Sequence, residues 1–271
     1  MKAKIMTPLR HRLLAPMLCA ALVTGLAQTG RAAVNLVTDG TFTNDYNASQ
    51  SALLGSSPTG GYDSLVNWTT ASGAYNLLFL KGTADVTGAY SPPFNNYVEL
   101  YGPNNGYANG LPATDPAGGN FVALDSTYDP GTLSQTINGL IKGDTYALTF
   151  YWAAAQQYGK LGATGDQLAV SLGGATQYTA SNSVPQAGFV PWASVTMDFT
   201  ATNSSELLAF LAGGAPSGAA PPFALVGGIT LELTTPGPPG VPDTTSTAAL
   251  FGFSVIVVGA AARRFRPLRR N

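Results

Sequence analysis

The stretch Thr145-Tyr146-Ala147-Leu148-Thr149-Phe150-Tyr151-Trp152-Ala153 decides the fold. Tyr146, Leu148, Phe150 and Trp152 stand two residues apart, so in an extended chain they share one face, while Thr149, Tyr151 and Ala153 share the other. In a helix the same four residues would be scattered around the axis. Aromatic residues and threonine suit a pleated, half-buried surface, and no Gly or Pro interrupts the run. The stretch therefore reads as a strand with its Tyr146–Trp152 side turned to the core.

Outward from this strand the same alternation recurs. Leu168, Val170 and Leu172 form one set, and Val195, Met197 and Phe199 another. Ile229, Leu231 and Leu233 form a third, with Thr230, Glu232 and Thr234 opposite. Further strands are expected over residues 97–101, 120–125, 132–137 and 206–211. Turn signals separate them: Asn138-Gly139, Lys142-Gly143-Asp144, Gly173-Gly174, Gly213-Gly214 and Pro221-Pro222. No apolar period of 3.6 residues persists. Many short strands with turns between them predict an all-β, antiparallel jelly-roll sandwich rather than a parallel α/β fold. Residues 102–119, polar and rich in Gly, Asn and Pro, are expected to form a long loop of the kind that carries function.

The charges divide the chain into three. Of 271 residues, 13 are Lys or Arg and 14 are Asp or Glu, a formal net charge of −1. Lys2, Lys4, Arg10, Arg12 and Arg31 lie near the start, and Arg263, Arg264, Arg266, Arg269 and Arg270 at the end. Between them only Lys81, Lys142 and Lys160 are basic, and the body has no Arg. The only Cys, Cys19, and the only His, His11, also lie in the N-terminal segment. An acidic body without Arg cannot neutralise a phosphate backbone, which excludes nucleic acid as a partner. Disulfides, Cys/His zinc sites and Ser-His-Asp or Cys-His catalysis are excluded with the Cys and His. Carboxylate chemistry and oxygen ligation of hard cations stay open.

Both ends read as addresses. A basic start, an apolar run over residues 13–27 and small residues at Gly30 and Ala32 make residues 1–32 a secretory signal peptide, cleaved after Ala32 or Ala33. Residues 33–234 form the expected sandwich, and 235–245 a Pro/Gly/Thr linker. Residues 246–262 are uncharged and just long enough for a membrane-spanning helix. Residues 263–271 carry the five C-terminal Arg, a stop-transfer block held in the cytoplasm. Val241-Pro242-Asp243-Thr244 precedes the span. Tripeptide, span and Arg cluster in this order resemble the PEP-CTERM class of bacterial sorting signals, in its Val-Pro-Asp variant, with Thr245 where that variant usually has Gly. The resemblance implies Sec-dependent export, transient anchoring in the inner membrane and cutting near residues 241–244 by an exosortase-type enzyme. The product would then sit at the cell surface or in the extracellular matrix.

A second resemblance spans residues 35–233 loosely and 118–157 more specifically. Asn35-Leu36-Val37-Thr38-Asp39-Gly40-Thr41-Phe42 opens the domain, and Trp68 follows. Then come Gly119-Asn120-Phe121-Val122-Ala123-Leu124-Asp125, Ser134-Gln135, Gly139-Leu140 and Gly143-Asp144-Thr145-Tyr146-Ala147-Leu148-Thr149-Phe150. This series is similar to DUF642 proteins and family 4/9 carbohydrate-binding modules, which have galactose-binding-like folds. It implies a domain that binds polysaccharide and does not cleave it. Such modules often hold a structural calcium. Here Thr43 stands where the opening motif often has Glu, and Val226-Gly227-Gly228-Ile229 replaces an Asp pair, leaving Asp39 and Glu232 as oxygen donors.

A sugar packs its C–H face on an aromatic ring while amides and carboxylates meet its hydroxyls. On the period-two reading Tyr151 faces outward, beside Gln156, Gln157 and Tyr158, and these four with Tyr107 are the expected sugar-binding residues. Tyr101 is an alternative platform; Trp68, Trp152 and Trp192 are also aromatic candidates. Asp125, Asp129, Glu99 and Asp166 could supply a carboxylate pair for glycoside hydrolysis. Asp125-Ser126-Thr127-Tyr128-Asp129 has alternating oxygen donors but not the full calcium-loop pattern. The leading expectation is an exported, non-catalytic surface or matrix protein that interacts with polysaccharide. The alternatives are a structural matrix protein with no ligand and a carboxylate-dependent glycosidase.

Overall fold

The computed structural model describes residues 34–55, 57, 59–216 and 221–237. The expected signal segment (1–32), the sorting motif (241–244), the span (246–262) and the basic tail (263–271) lie outside the described residues.

Within them the chain runs through β1 (Ala52–Leu53), β2 (Thr69–Thr70), β3 (Asn76–Phe79), β4 (Ala89–Ser91), β5 (Asn96–Val98), β6 (Phe121–Asp125) and β7 (Leu133–Asn138). It continues through β8 (Thr145–Gln156), β9 (Thr164–Leu172), β10 (Ala175–Tyr178), β11 (Asn182–Val184), β12 (Phe189–Thr200), β13 (Ser205–Pro216) and β14 (Pro222–Thr235). Single 3₁₀ turns at Pro92–Phe94 and Pro103–Asn105 are the only helical pieces among the described residues. One sheet has the order β12-β8-β14-β6-β3-β1-β4-β5; the other has β10-β9-β13-β7-β2, with β11 also on β9. This is the expected all-β sandwich. Pairing is antiparallel except between β1 and β4, which run parallel.

The expected long strands are present. The region expected at 97–101 contributes only Asn96–Val98. Leu100 instead makes an isolated bridge to Gln157. β13 runs past the expected 211 to Pro216, carrying Gly213-Gly214 inside the strand rather than in a turn. Gly213 and Gly214 pair with Gln167 and Asp166 of β9, so the sheet closes around them.

The inner faces of the two sheets enclose one apolar core. Tyr146, Leu148, Phe150 and Trp152 of β8 meet Leu168, Val170 and Leu172 of β9 and Leu208 and Phe210 of β13 there. Phe150 and Phe210 meet edge to face, ring centroids 5.2 Å apart. The outer face of the eight-stranded sheet is buried too, under a second core. Leu77, Phe79, Phe121, Ala123, Ala153, Ala155, Phe223 and Leu225 point outward and are covered by Leu53, Ala89, Val98, Leu100 and Leu111. Ala153, on the side opposite the Tyr146–Trp152 face, is therefore fully buried as well. β4 and β5, at the far end of the same sheet, and the 102–119 loop supply this cover, which alternation within β8 does not report.

The residues that carry the second resemblance close the structure around its own N-terminal segment. Asn35 Oδ1 accepts the Val37 and Leu231 amides, fixing the segment along β14. Asp39 has φ 51° and its carboxylate accepts the Thr43 and Asn44 amides. Gly40 lies so close to the Ile229 carbonyl that a Cβ there would run into it. Phe42 is fully buried and meets Trp68 edge to face at 5.3 Å. Gln135 accepts the Thr38 amide and donates to the Thr38 and Asn67 carbonyls. Asn120 donates to the Phe42 carbonyl. Asn35, Gln135 and Asn120 thus tie the segment to distant parts of the sandwich.

Candidate functional site

β8, β14, β6 and β3 are neighbours in the large sheet. The end of β8, the start of β14, the end of β6 and the start of β3 lie at the same edge, as the pairs Pro222–Gln156, Phe223–Asp125 and Asn76–Leu124 show. The covering layer stops short of this edge and leaves an open cleft of ≈ 430 Å³. Tyr75, Asp125, Gln157 and Pro221 line it from the four strand ends. Phe94, Asn96, Tyr128, Asp129 and Lys160 line it from the flanking turns. A second lobe of ≈ 420 Å³, reaching Tyr62, Ala74 and Pro93, shares Tyr75, Phe94 and Asp129 with the first.

The rings are held from behind. Tyr75 stacks on buried Phe223 at 6.5 Å and meets Phe94 edge to face at 6.1 Å. Its Oη lies 2.9 Å from Ser91 Oγ. Burial raises the Tyr75 phenol above its ordinary value; the Ser91 bond opposes this and the charges of Asp125 and Asp129 add to it. The phenol therefore stays protonated, a donor and acceptor at neutral pH. Phe94 follows Pro92-Pro93 in the 3₁₀ turn and is 63% exposed. Tyr128 is half-exposed. Asn96, Gln157, Asp129 and Lys160 supply amide, carboxylate and ammonium groups around these rings. The set offers flat apolar surface with dispersed hydrogen-bonding groups.

Strand parity sorts the residues expected from sequence. Gln157 continues the outward series Tyr151, Ala153, Ala155 and reaches the cleft. Gln156 has the opposite parity and is fully buried. Its Nε2 donates to the Gly162 carbonyl, Thr164 Oγ1 and the Val184 carbonyl, and its Oε1 accepts the Ala187 amide. Gln156 is therefore a clamp on the 162–187 region and has no amide free for a surface ligand, a correction to its expected role.

Tyr158 and Tyr107 do come together, with ring centroids 6.0 Å apart, on either side of Tyr101. Tyr101 is buried and donates to the Lys160 carbonyl at 2.6 Å, which ties this trio to the loop carrying Gln157. Tyr151 lies apart from the cleft lining. Its ring packs beside Gly228, whose φ of 58° makes the kink in β14, and near Ala117 of the long loop. Tyr151 is thus half covered rather than an open platform.

Three of the four carboxylates expected to supply a hydrolytic pair are engaged by the protein itself. Asp125 is buried, and its oxygens accept the Thr127, Tyr128 and Asp129 amides, which makes the 125–129 segment a capped turn. Glu99 accepts from Asn105 Nδ2. Asp166 faces inward and accepts a hydrogen bond from Ser126 Oγ; burial raises its pKa to about 7, the Ser126 bond opposes this and the Asp125 charge adds to it. Asp129 alone of the four is exposed in the cleft. Asp39, one of the expected calcium donors, caps the Thr43 and Asn44 amides. No group of three or more His, Cys, Asp or Glu side chains placed to hold a metal occurs among the described residues. Trp68 and Trp152 belong to the inner core, and Trp192 covers Phe121 at 5.5 Å.

Sequence reasoning missed Tyr75, Phe94, Asn96, Tyr128 and Lys160. The signal for Phe94 was present in Pro92-Pro93-Phe94-Asn95-Asn96, where two prolines present an aromatic residue next to amides.

No family model matches the chain, and no curated protein does. Among solved structures it is similar to a CBM4 structure at 12% identity, with a TM-score of 0.33, covering 73% of this chain and 99% of that one. It is similar to TmCBM61 in complex with β-1,4-galactotriose at 12% identity and TM-score 0.34, covering 74% and 99%. It is also similar to the CBM22-1 xylan-binding domain from Paenibacillus barcinonensis at 13% identity and TM-score 0.33, covering 76% and 99%. The sandwich stands on its own strand pairing, and the cleft on its own geometry.

Proposed function

We propose that the domain binds polysaccharide, without cleaving it, in the cleft at the β8/β14/β6/β3 edge. The observation that carries this reading is the pairing of Phe94, Tyr75 and Tyr128 with the side chains of Asn96, Gln157, Asp129 and Lys160 in one open cleft. Aromatic rings take the C–H face of a sugar and the polar groups take its hydroxyls. The capped carboxylate of Asp125 supports binding over hydrolysis, because both its oxygens already accept loop amides. With three Lys against thirteen acids between residues 33 and 242, the body repels acidic polymers, so neutral glycans are the favoured class.

The protein carrying this domain is exported and sorted to the cell surface or matrix through its C-terminal signal. The order Val241-Pro242-Asp243, apolar segment and Arg cluster supports this part of the reading.

The test is a neutral-glycan array on the full chain, followed by titration of the best ligand. Phe94→Ala and Gln157→Ala each weaken binding about tenfold with an unchanged far-UV spectrum, a loss of about 1.4 kcal/mol. Tyr151→Phe leaves binding unchanged. Silence across the array overturns the binding reading in favour of a structural matrix protein, and release of reducing sugar overturns the non-catalytic one. Deleting residues 241–271 changes the final size and location of the protein; unchanged localisation sinks the sorting assignment.

A further inference from the structure

The sequence holds three Asn-x-Ser/Thr triplets: Asn47-Ala48-Ser49, Asn67-Trp68-Thr69 and Asn203-Ser204-Ser205. Such a triplet is the acceptor signal for transfer of an oligosaccharide to an asparagine amide in exported chains. The fold separates the three. Trp68 is buried against Phe42 and Thr69 pairs with Ser134, so the middle triplet is built into the sandwich. In the last, Asn203 donates Nδ2 to Thr202 Oγ1 and its backbone amide to Glu206. Ser205 of that triplet already belongs to β13, and its Oγ donates to Asn138. The first triplet forms an exposed turn. The Gln50 amide donates to the Asn47 carbonyl, Ala48 and Ser49 are exposed at the tip, and Ser49 Oγ donates to Asn47 Oδ1. Asn47 Nδ2, the atom that takes a sugar, has no hydrogen-bond partner among the described residues.

Charge separates them again. Asp45 stands two residues before Asn47, whereas Leu65 and Ala201 hold that place before Asn67 and Asn203. A carboxylate at that spacing lies on the same side of an extended chain as the acceptor amide, and it offers a transferase an ionic handle for a basic side chain. In the folded domain Asp45 is bridged to Leu65. The handle is therefore offered while the segment is still extended, during export, and the finished turn then carries the sugar outward.

We propose that Asn47 is an N-glycosylation site, which takes an oligosaccharide from a polyprenyl-diphosphate-linked donor once the chain has left the cytoplasm. The Nδ2–C1 bond forms as the bond between C1 and the diphosphate oxygen breaks. The diphosphate leaves with the electron pair, and a carboxylate base of the transferase takes the Nδ2 proton. The export reading given above is the precondition, since the transfer takes place outside the cytoplasm.

The full chain is expressed in a bacterial host with and without a periplasmic oligosaccharyltransferase and its lipid-linked donor, and intact mass and glycopeptides are read by mass spectrometry. With the transferase, the mature wild type gains the mass of one glycan, located on Asn47. Asn47→Gln and Ser49→Ala, both in the turn, carry none. Asp45→Ala lowers occupancy about tenfold, the loss of one charge-assisted contact, and Asp45→Glu restores it. A mature wild type with no glycan, equal occupancy in Asp45→Ala, or a glycan on Asn67 or Asn203 in its place overturns the site. A product that keeps residues 1–32 overturns the export reading, and the site with it.

Discussion

The eight-stranded sheet is buried on both faces, and the two faces are closed by different means. On the inner face another sheet lies across it, and Phe150, Leu148 and Leu231 meet Val170, Leu208 and Phe210. A sheet satisfies its own backbone, so this interface needs only apolar side chains. On the outer face the cover is short strands and loops, whose backbone needs side-chain anchors. Asp85 accepts the Asn104 amide and Nδ2; Asn105 donates to the Leu100 carbonyl; Asn109 donates to the Tyr101 and Ala187 carbonyls; Asp115 accepts the Gly119 amide. Regular cover extends to the sheet's end. Irregular cover stops where its anchors stop, and the cleft is the part of the outer face left open. The face that looks dispensable on a two-layer reading is the one that carries the open cleft.

If the outer face is a true core, its loss is as damaging as loss of the inner one. Phe121→Ala on the outer side and Phe150→Ala on the inner side each remove a fully buried ring. Each is expected to cost about 3–5 kcal/mol, measured as the shift in urea midpoint at unchanged m-value. A cost below about 1 kcal/mol for Phe121→Ala would mean that the outer layer only drapes the sheet and that the cleft has no rigid wall.

The adjacent pair Gln156 and Gln157 divides the faces at single-residue resolution. Gln156→Ala strips partners from the Ala187 amide and the Gly162 and Val184 carbonyls, and is expected to cost about 1–3 kcal/mol. Gln157→Ala is neutral for stability and acts on glycan binding alone. Equal stability effects from the two would contradict the parity that places one inward and the other in the cleft.

The inner face has one titratable weak point at its end. Asp166 has a folded pKa of about 7 against an ordinary 3.8, so the folded protein keeps a proton that the unfolded chain has released. Stability from this group is greatest at low pH and declines as pH rises from about 4 to about 7, because the native state binds more protons in that window. Asp166→Asn, uncharged throughout, is expected to flatten the decline and to gain about 1–3 kcal/mol near pH 8. Chemical denaturation at several pH values checks it; an equal slope in wild type and variant assigns the pH dependence elsewhere.

Alternation in the sequence was enough to read β8, β9, β12 and the second half of β14, because each is long and has one face turned to the core. It could not show that the other face is covered as well. Ala153, Ala155, Phe223 and Leu225 are buried by Val98, Leu100 and Leu111, which arrive from distant segments. The short strands β1 to β4 also escaped notice, since two to four residues are too few for a period to appear. The same limit governs the site. Gln157, Tyr158 and Tyr107 were legible as polar and aromatic residues in loops next to a strong strand. Tyr75, Phe94 and Lys160 belong to three separate turns, and only tertiary pairing of β3, β5 and β8 brings them to one edge. Gln156 turns inward because β8 continues, with its parity intact, through residue 156.

The smallest effect tests where the site ends. Tyr107 and Tyr158 are both about two-fifths exposed and lean on buried Tyr101, whose hydroxyl holds the Lys160 carbonyl. They stand beside the loop that carries Gln157 and Lys160, outside the cleft lining itself. A ring that shapes a neighbouring loop transmits less than a ring that touches the ligand. Tyr158→Ala is therefore expected to weaken glycan binding no more than about threefold, roughly 0.6 kcal/mol, against about tenfold for Phe94→Ala. Titration of both variants with the same oligosaccharide settles the order. A larger loss in Tyr158→Ala than in Phe94→Ala would move the ligand from the β14/β6/β3 edge onto the tyrosine trio, and would make the outer layer itself, rather than the gap beside it, the binding surface.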